Sequence, residues 1–295
     1  MQVSIRDNMV EAAQYESLVA GLKDLELSRF ELEVHRDSSV LSLGSFGEGA
    51  RVRLDNPAAI AEYAKALRDA GLQVCALLLS NNFNAPDLGG EVDFVVDCIR
   101  LAHTLGAGAV RIDSAMRDVD GWTLEQRRDR FAECLHESLD RTAAQAIPLG
   151  VENHGHLGNN VEFLRSVADQ VGSPLLGVTL DTANWYWYGF PLSRVYEIHR
   201  EMAPLVKHTH IKNIRFPVET RETQREIGWK YGDYAAPIPD GDIDHRISVG
   251  YLYEHRYQGD LCIEDESLFR MDSEARKEAL RRDSEYVREL AREFA

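Results

Sequence analysis

The chain alternates short apolar runs with longer amphipathic stretches, eight times over. The short runs span residues 2–5, 29–35, 72–79, 109–113, 149–153, 176–181, 207–212 and 261–265. Each holds β-branched, aromatic or leucine side chains between Gly, Pro, Asp or Asn, the signature of a buried strand. Between them lie helical patterns at 15–25, 56–71, 92–106, 123–145, 159–172, 191–206 and 248–259, and a charged one at 273–294 closes the chain. Several open on Asn, Thr or Pro and close on Gly, the usual asymmetry of helix caps. Eight strand signals, each followed by a helix signal, predict an α/β protein: a closed (β/α)8 TIM barrel, with residues 1–295 as one domain. An open doubly wound sheet would carry a Gly-rich phosphate turn after its first strand, and RDNMVEAAQYES has none. One connection is out of proportion. Residues 213–246 separate the seventh strand from the next helix, and in a barrel this long loop after strand 7 lies on the catalytic face.

Composition narrows the partners. No segment of the 295 residues approaches the ~20 consecutive apolar residues needed to span a bilayer. The start, MQVSIRDNMVEAAQYESL, lacks an apolar core behind a basic end, so no signal peptide is expected. Forty-nine acidic against 33 basic residues leave a formal charge of −16, a field that repels phosphate backbones and anionic membranes. No nucleic acid and no membrane surface is expected as a partner. Cys75, Cys98, Cys134 and Cys262 stand singly in apolar stretches with no CxxC pair, which predicts buried reduced thiols in a cytoplasmic protein.

Barrel chemistry gathers at the C-terminal ends of strands. Strand five ends in VENHG with Glu152 and His154, and strand six in TLDTANW with Asp181. Strand seven reads KHTHIKN with His208 and His210, and strand eight reads CIEDES with Glu264. Glu152, Asp181 and His210 stand 29 residues apart, one βα unit each, and the long loop accounts for the wider gap to Glu264. Three carboxylates and an imidazole converging at one depth repel one another unless a cation joins them. Such an oxygen-rich set with one nitrogen suits Mn²⁺, Mg²⁺ or Co²⁺, and Zn²⁺ is within its range.

The pattern of Glu152 in GVENHG, Asp181 in TLDTAN, His210 in HTHIKN and Glu264 in CIEDE resembles the xylose-isomerase-like barrel superfamily. More narrowly, it is similar to the sugar phosphate isomerase/epimerase group that includes ketose 3-epimerases and hydroxypyruvate isomerases. The resemblance implies one divalent metal ion at these four positions, and Glu152 and Glu264 as an acid–base pair on opposite faces of the substrate. It also implies a small sugar or sugar-derived substrate and barrels that often pair as homo-oligomers. PIPDGDID (237–244) is similar to the glycine-containing turn such proteins carry before the last barrel helix. The chemistry would be proton abstraction beside a metal-bound carbonyl through an enediolate. The chain departs from the ketose 3-epimerases at Asn184, where they carry histidine, and Arg215 matches their substrate-binding arginine only approximately.

Alternation along strands extends the candidates. His154 points with Glu152 and Lys212 with His210, as substrate contacts or auxiliary acid–base groups, while His208 sits one layer deeper. Arg111 and Asp113 share a face, as an internal ion pair or a substrate contact, and Glu33 and His35 carry the same ambiguity. The aromatic run NWYWYGF (184–190), with Trp185, either packs against the long loop or forms a sugar-stacking wall opposite Trp229 and Tyr231. Arg215, Arg221, Arg225 and Lys230 make the loop locally basic, which fits either a solvated face or an anionic group on the substrate. Three other activities compete with the isomerase reading. One is a metal-dependent lyase or dehydratase on an oxidised sugar, with His154 as acid or base. Another is a nuclease of the endonuclease IV type, which the charge of −16 opposes. The last is a non-enzymatic binding module on the same scaffold.

Overall fold

The computed structural model describes residues 1–47, 50–114 and 121–295. Each predicted apolar run forms a strand: β1 (Gln2–Arg6), β2 (Arg29–Glu33), β3 (Gln73–Leu79), β4 (Ala109–Ile112), β5 (Leu149–Glu152), β6 (Leu176–Asp181), β7 (Val206–Ile211) and β8 (Asp260–Ile263). They pair in parallel, each with its neighbours in sequence, and β8 closes the ring onto β1. This is a TIM barrel. The strands read as near-continuous apolar runs because helices cover their outer face and side chains fill the interior.

Eight principal helices follow the strands: α1 (Leu18–Asp24), α2 (Pro57–Ala70), α3 (Leu88–Leu105), α4 (Leu124–Arg141), α5 (Val161–Val171), α6 (Leu192–Met202), α7 (His245–Glu254) and α8 (Ser273–Glu293). Their ends lie where capping chemistry permits. Asn56 accepts from the Ala59 amide ahead of Pro57, and Thr123 and Gln126 form a reciprocal capping box. Gly71, Gly106 and Gly172 end α2, α3 and α5 in the left-handed region. No helix among the described residues is long and apolar enough to cross a membrane. All four cysteines are buried and free.

The connections depart from the sequence expectation. A short helix, Asp7–Ala12, precedes α1, and an antiparallel hairpin, Ser39–Leu41 with Arg51–Arg53, fills the β2–α2 connection. Both are too short to leave a periodic signal. The ladder slips by one residue at Phe30/Glu31 in β2 and at Val178/Thr179 in β6. Such irregularities re-aim side chains near barrel mouths.

The loop after β7 is built in. Asn213–Ile214 pairs with Ala235–Ala236, and the Asn213 amide donates to the carbonyls of Ile238 (2.8 Å) and Ile243 (3.0 Å). The Arg225 guanidinium packs against the rings of Tyr186 and Phe216, 4.5 and 4.4 Å from their centres. It donates to the carbonyls of Tyr186 and Phe190 at 3.0 and 2.8 Å. That staple joins the loop to the aromatic run after β6. Gly189, at φ +111°, has its α-carbon against the Arg225 carbonyl, where no side chain would fit.

Candidate metal centre

At the C-terminal mouth of the barrel, Glu152, Asp181, His210 and Glu264 are all buried, and one ligand atom from each lies within 4.8 Å of the others. They end four adjacent strands. His210 is the pivot: its Nδ1 lies 2.9 Å from Glu152 Oε1 and 3.0 Å from Glu264 Oε2. On the far side its Nε2 lies 3.0 Å from Glu31 Oε2, on β2 just past the ladder slip. A carboxylate behind the imidazole fixes the tautomer that leaves Nδ1 free to bind a metal.

The quartet fits a cation on its own orphaned atoms. Asp181 Oδ2 and Glu264 Oε2 are buried without a hydrogen bond of acceptable geometry. Lys212 Nζ comes within 3.0 Å of that Asp181 oxygen, and His210 Nδ1 within 3.0 Å of that Glu264 oxygen, so positive charge faces both. Burial pushes the Asp181 carboxyl up to about 7, Lys212 pulls against the rise, and Glu264 and Glu152 add to it. Burial also works against ionised Glu152 and Glu264. There, however, Arg111 and His210 in one case, and Arg6, Lys212 and His210 in the other, hold the carboxyls well below their usual range. Glu31, Glu264 and Glu152 hold the His210 imidazolium well above its ordinary value despite burial. Lys212 and His210 thus carry positive charge toward carboxylates that could hold a metal ion.

Around the quartet stands a ring of paired charges. Arg6 bonds Glu264 and lies 3.4 Å from Glu31. Arg111 bonds Glu152 and lies 2.9 Å from Asp113 Oδ1. His154 Nδ1 is 3.3 Å from Asp113, and its side chain stays 38 % exposed at the mouth. Burial lowers the His154 pKa, but Asp113 and Glu152 outweigh it and raise the value. Lys212 also reaches toward Glu266 Oε1 (3.6 Å), and the other oxygen of Glu266 accepts from the Tyr231 hydroxyl of the long loop.

The other candidates are scattered. His208 is buried one layer below, its Nε2 3.0 Å from Glu31 Oε1. Trp185 is fully buried, its ring 5.7 Å from that of His199 on α6, so it presents no face to the mouth. The run 184–190 packs against the long loop instead, because a one-turn helix, Asn184–Trp187, rotates alternate rings into the core. Trp229 stacks on Tyr234 at 5.6 Å, and Arg215 is exposed and joined to the loop through its own backbone. Glu33 lies 3.8 Å from His35 at the rim. Arg6, Glu31 and Glu266 are the site neighbours that the sequence did not single out, and Tyr231, expected in a sugar-stacking wall, bonds Glu266. Only the even spacing of Glu31 and Glu33 on β2 could have hinted at Glu31.

The model of the xylose isomerase-like TIM barrel family matches residues 23–290. No curated protein matches the chain. Among solved structures, a D-psicose 3-epimerase in the presence of D-fructose superposes with a TM-score of 0.70 at 14% identity, covering 98% of this chain and 99% of that one. The IolI protein with a binding zinc atom gives 0.68 at 15% identity, with 96% of both chains covered. A probable 3-DHS dehydratase, AsbF from Bacillus anthracis, gives 0.68 at 13%, with 97% and 98% covered. At such identities these likenesses speak for the fold. With the family model spanning β2 to α8, the chain belongs to the xylose isomerase-like TIM barrel family.

Proposed function

We propose that this protein is a divalent-metal-dependent isomerase or epimerase acting on a sugar or sugar-derived carbonyl compound. The observation that carries the reading is the buried quartet of Glu152, Asp181, His210 and Glu264, with one oxygen of Asp181 and one of Glu264 buried without a hydrogen bond. A divalent ion held there, Mn²⁺ or Mg²⁺ by the hardness of the ligands, would polarise a carbonyl and acidify the adjacent C–H. Glu152 is oriented by Arg111 and Glu264 by Arg6, so each carboxylate is fixed from behind. One takes the carbon-bound proton and the other returns a proton to the opposite face, which inverts the carbon without net loss of atoms. His154, steadied by Asp113, would bond a substrate hydroxyl, while Lys212 holds the Asp181 and Glu266 carboxylates.

The Asp113–His154 pair favours a second reading, a lyase, because an imidazole at the mouth can protonate a departing hydroxyl. The 3-DHS dehydratase named above lends it support as a neighbour in fold. One experiment separates the two. The metal-loaded protein is incubated with keto-sugars in D₂O and the products are read by mass and NMR. Deuterium on carbon in a product of unchanged formula supports the isomerase, loss of water supports the lyase, and no exchange in any sugar sinks both.

A further inference from the structure

Among the described residues, the basic side chains that face the quartet are already engaged. Arg6 faces Glu264 and Glu31, Arg111 faces Glu152 and Asp113, and Lys212 faces Asp181, Glu266 and Glu264. Six carboxylates thus meet three permanent cations, and a divalent ion in the quartet would not bring the shell to a positive balance. In the loop that makes the sequence locally basic, two of the four cations are tied up away from the quartet. Arg221 pairs with Asp242 at 2.8 Å, and Arg225 lies against the Tyr186 and Phe216 rings with its donors on the carbonyls of Thr220 and Phe190. Lys230 lies over the Trp229 ring, and Arg215 is exposed.

From this we infer that the substrate is electrically neutral: a hydroxyl-rich keto compound without a phosphate or carboxylate group. The inference rests on the metal-dependent reading above and narrows it. An anionic group entering the mouth would have to detach a cation from a buried carboxylate, leaving that carboxylate uncompensated, which is the costly way to break a buried pair. A hydroxyl asks for no such exchange. The groups with spare capacity among the described residues are the His154 edge and the Glu266–Tyr231 pair: the imidazole and the phenol can donate or accept, and the carboxylate accepts.

The test uses the metal-loaded full chain and matched probes: neutral ketopentoses and ketohexoses, their terminal phosphates such as D-fructose 6-phosphate, and a 2-keto acid sugar. Solvent deuterium incorporation and thermal stabilisation are followed in parallel at low and high salt. Neutral probes are expected to exchange and to stabilise the protein at least about tenfold more effectively than their anionic partners. Their apparent affinity is expected to be flat with salt, whereas any anionic binding improves as salt screens the pocket. Glu266→Gln, which frees one side of Lys212, should tighten fructose 6-phosphate by about threefold. An anionic probe that exchanges or binds as well as its neutral partner overturns the neutral substrate while leaving the isomerase reading intact. Absence of exchange with every probe overturns that reading and this inference together.

Discussion

Strands β5 to β8 end in Glu152, Asp181, His210 and Glu264, while β1, β2 and β4 answer them with Arg6, Glu31 and Arg111. The first set offers atoms to a metal, and the second holds those atoms still and balances their charge. Arg111 on β4 bonds Glu152 on β5, and Arg6 on β1 bonds Glu264 on β8, so each support crosses one seam of the ring. Glu31 reaches across the barrel to His210. The comparison teaches that a ligand half alone would be an unstable cluster of like charge. The supporting half holds Glu152 and Glu264 ionised although they are buried.

The largest effect separating the halves should come from the ligand side. Glu264→Gln is expected to lower the deuterium exchange rate by about 10²–10⁴-fold, and His210→Ala to abolish stoichiometric metal in elemental analysis. Full metal and full rate in both variants would end the quartet's assigned role. On the supporting side, Arg111→Leu leaves Glu152 buried without its guanidinium. We expect the metal-free protein to lose about 3–5 kcal/mol in urea unfolding, with part restored by Mn²⁺, which supplies the missing positive charge. A loss unaffected by metal would mean that Arg111 acts on packing alone.

Glu31→Gln is a finer probe, because it keeps shape and removes charge. Metal affinity should fall by about 10–100-fold in calorimetric titration while the folded structure persists by circular dichroism. An unchanged affinity would detach β2 from the metal centre.

The smallest effect lies away from both halves, in the packing of α6 and α7. Burial depresses the His199 pKa to about 3 and the His245 pKa to about 4. In the unfolded chain both titrate near ~6.5, so between that value and about 4 the unfolded state binds more protons. Stability from these two groups is therefore complete above ~6.5 and declines as pH falls below it. Urea midpoints at pH 7 and pH 5 should differ in that direction, and His199→Gln should flatten the difference. A midpoint that rises on acidification would refute the assignment.

Much of this molecule is legible in one dimension. The eight strands and the ligand quartet follow from a repeat in which strand ends recur one βα unit apart, since Glu152, Asp181 and His210 occupy equivalent positions in successive units. The supporting charges could not be read the same way. Arg6 and Glu31 lie 146 and 121 positions before Glu152, and beyond the even spacing of Glu31 and Glu33 nothing local in QVSIR or RFELE distinguishes them from ordinary strand residues. The aromatic run after Asp181 misled for a related reason. Its composition suited a sugar wall, but a single helical turn sent Trp185 into the core and Tyr186 against Phe216.

The sequence by itself determined the barrel, the long loop after β7 and the four candidate ligands, because hydrophobic periodicity and unit spacing are local quantities that survive in a linear string. Only the tertiary structure decided which cations are free. Arg225, Arg221 and Lys212 look alike as basic residues in the sequence, yet one lies against two aromatic rings and the other two face buried carboxylates. Charge compensation depends on distances between strands far apart in sequence, and closing the barrel is what sets them.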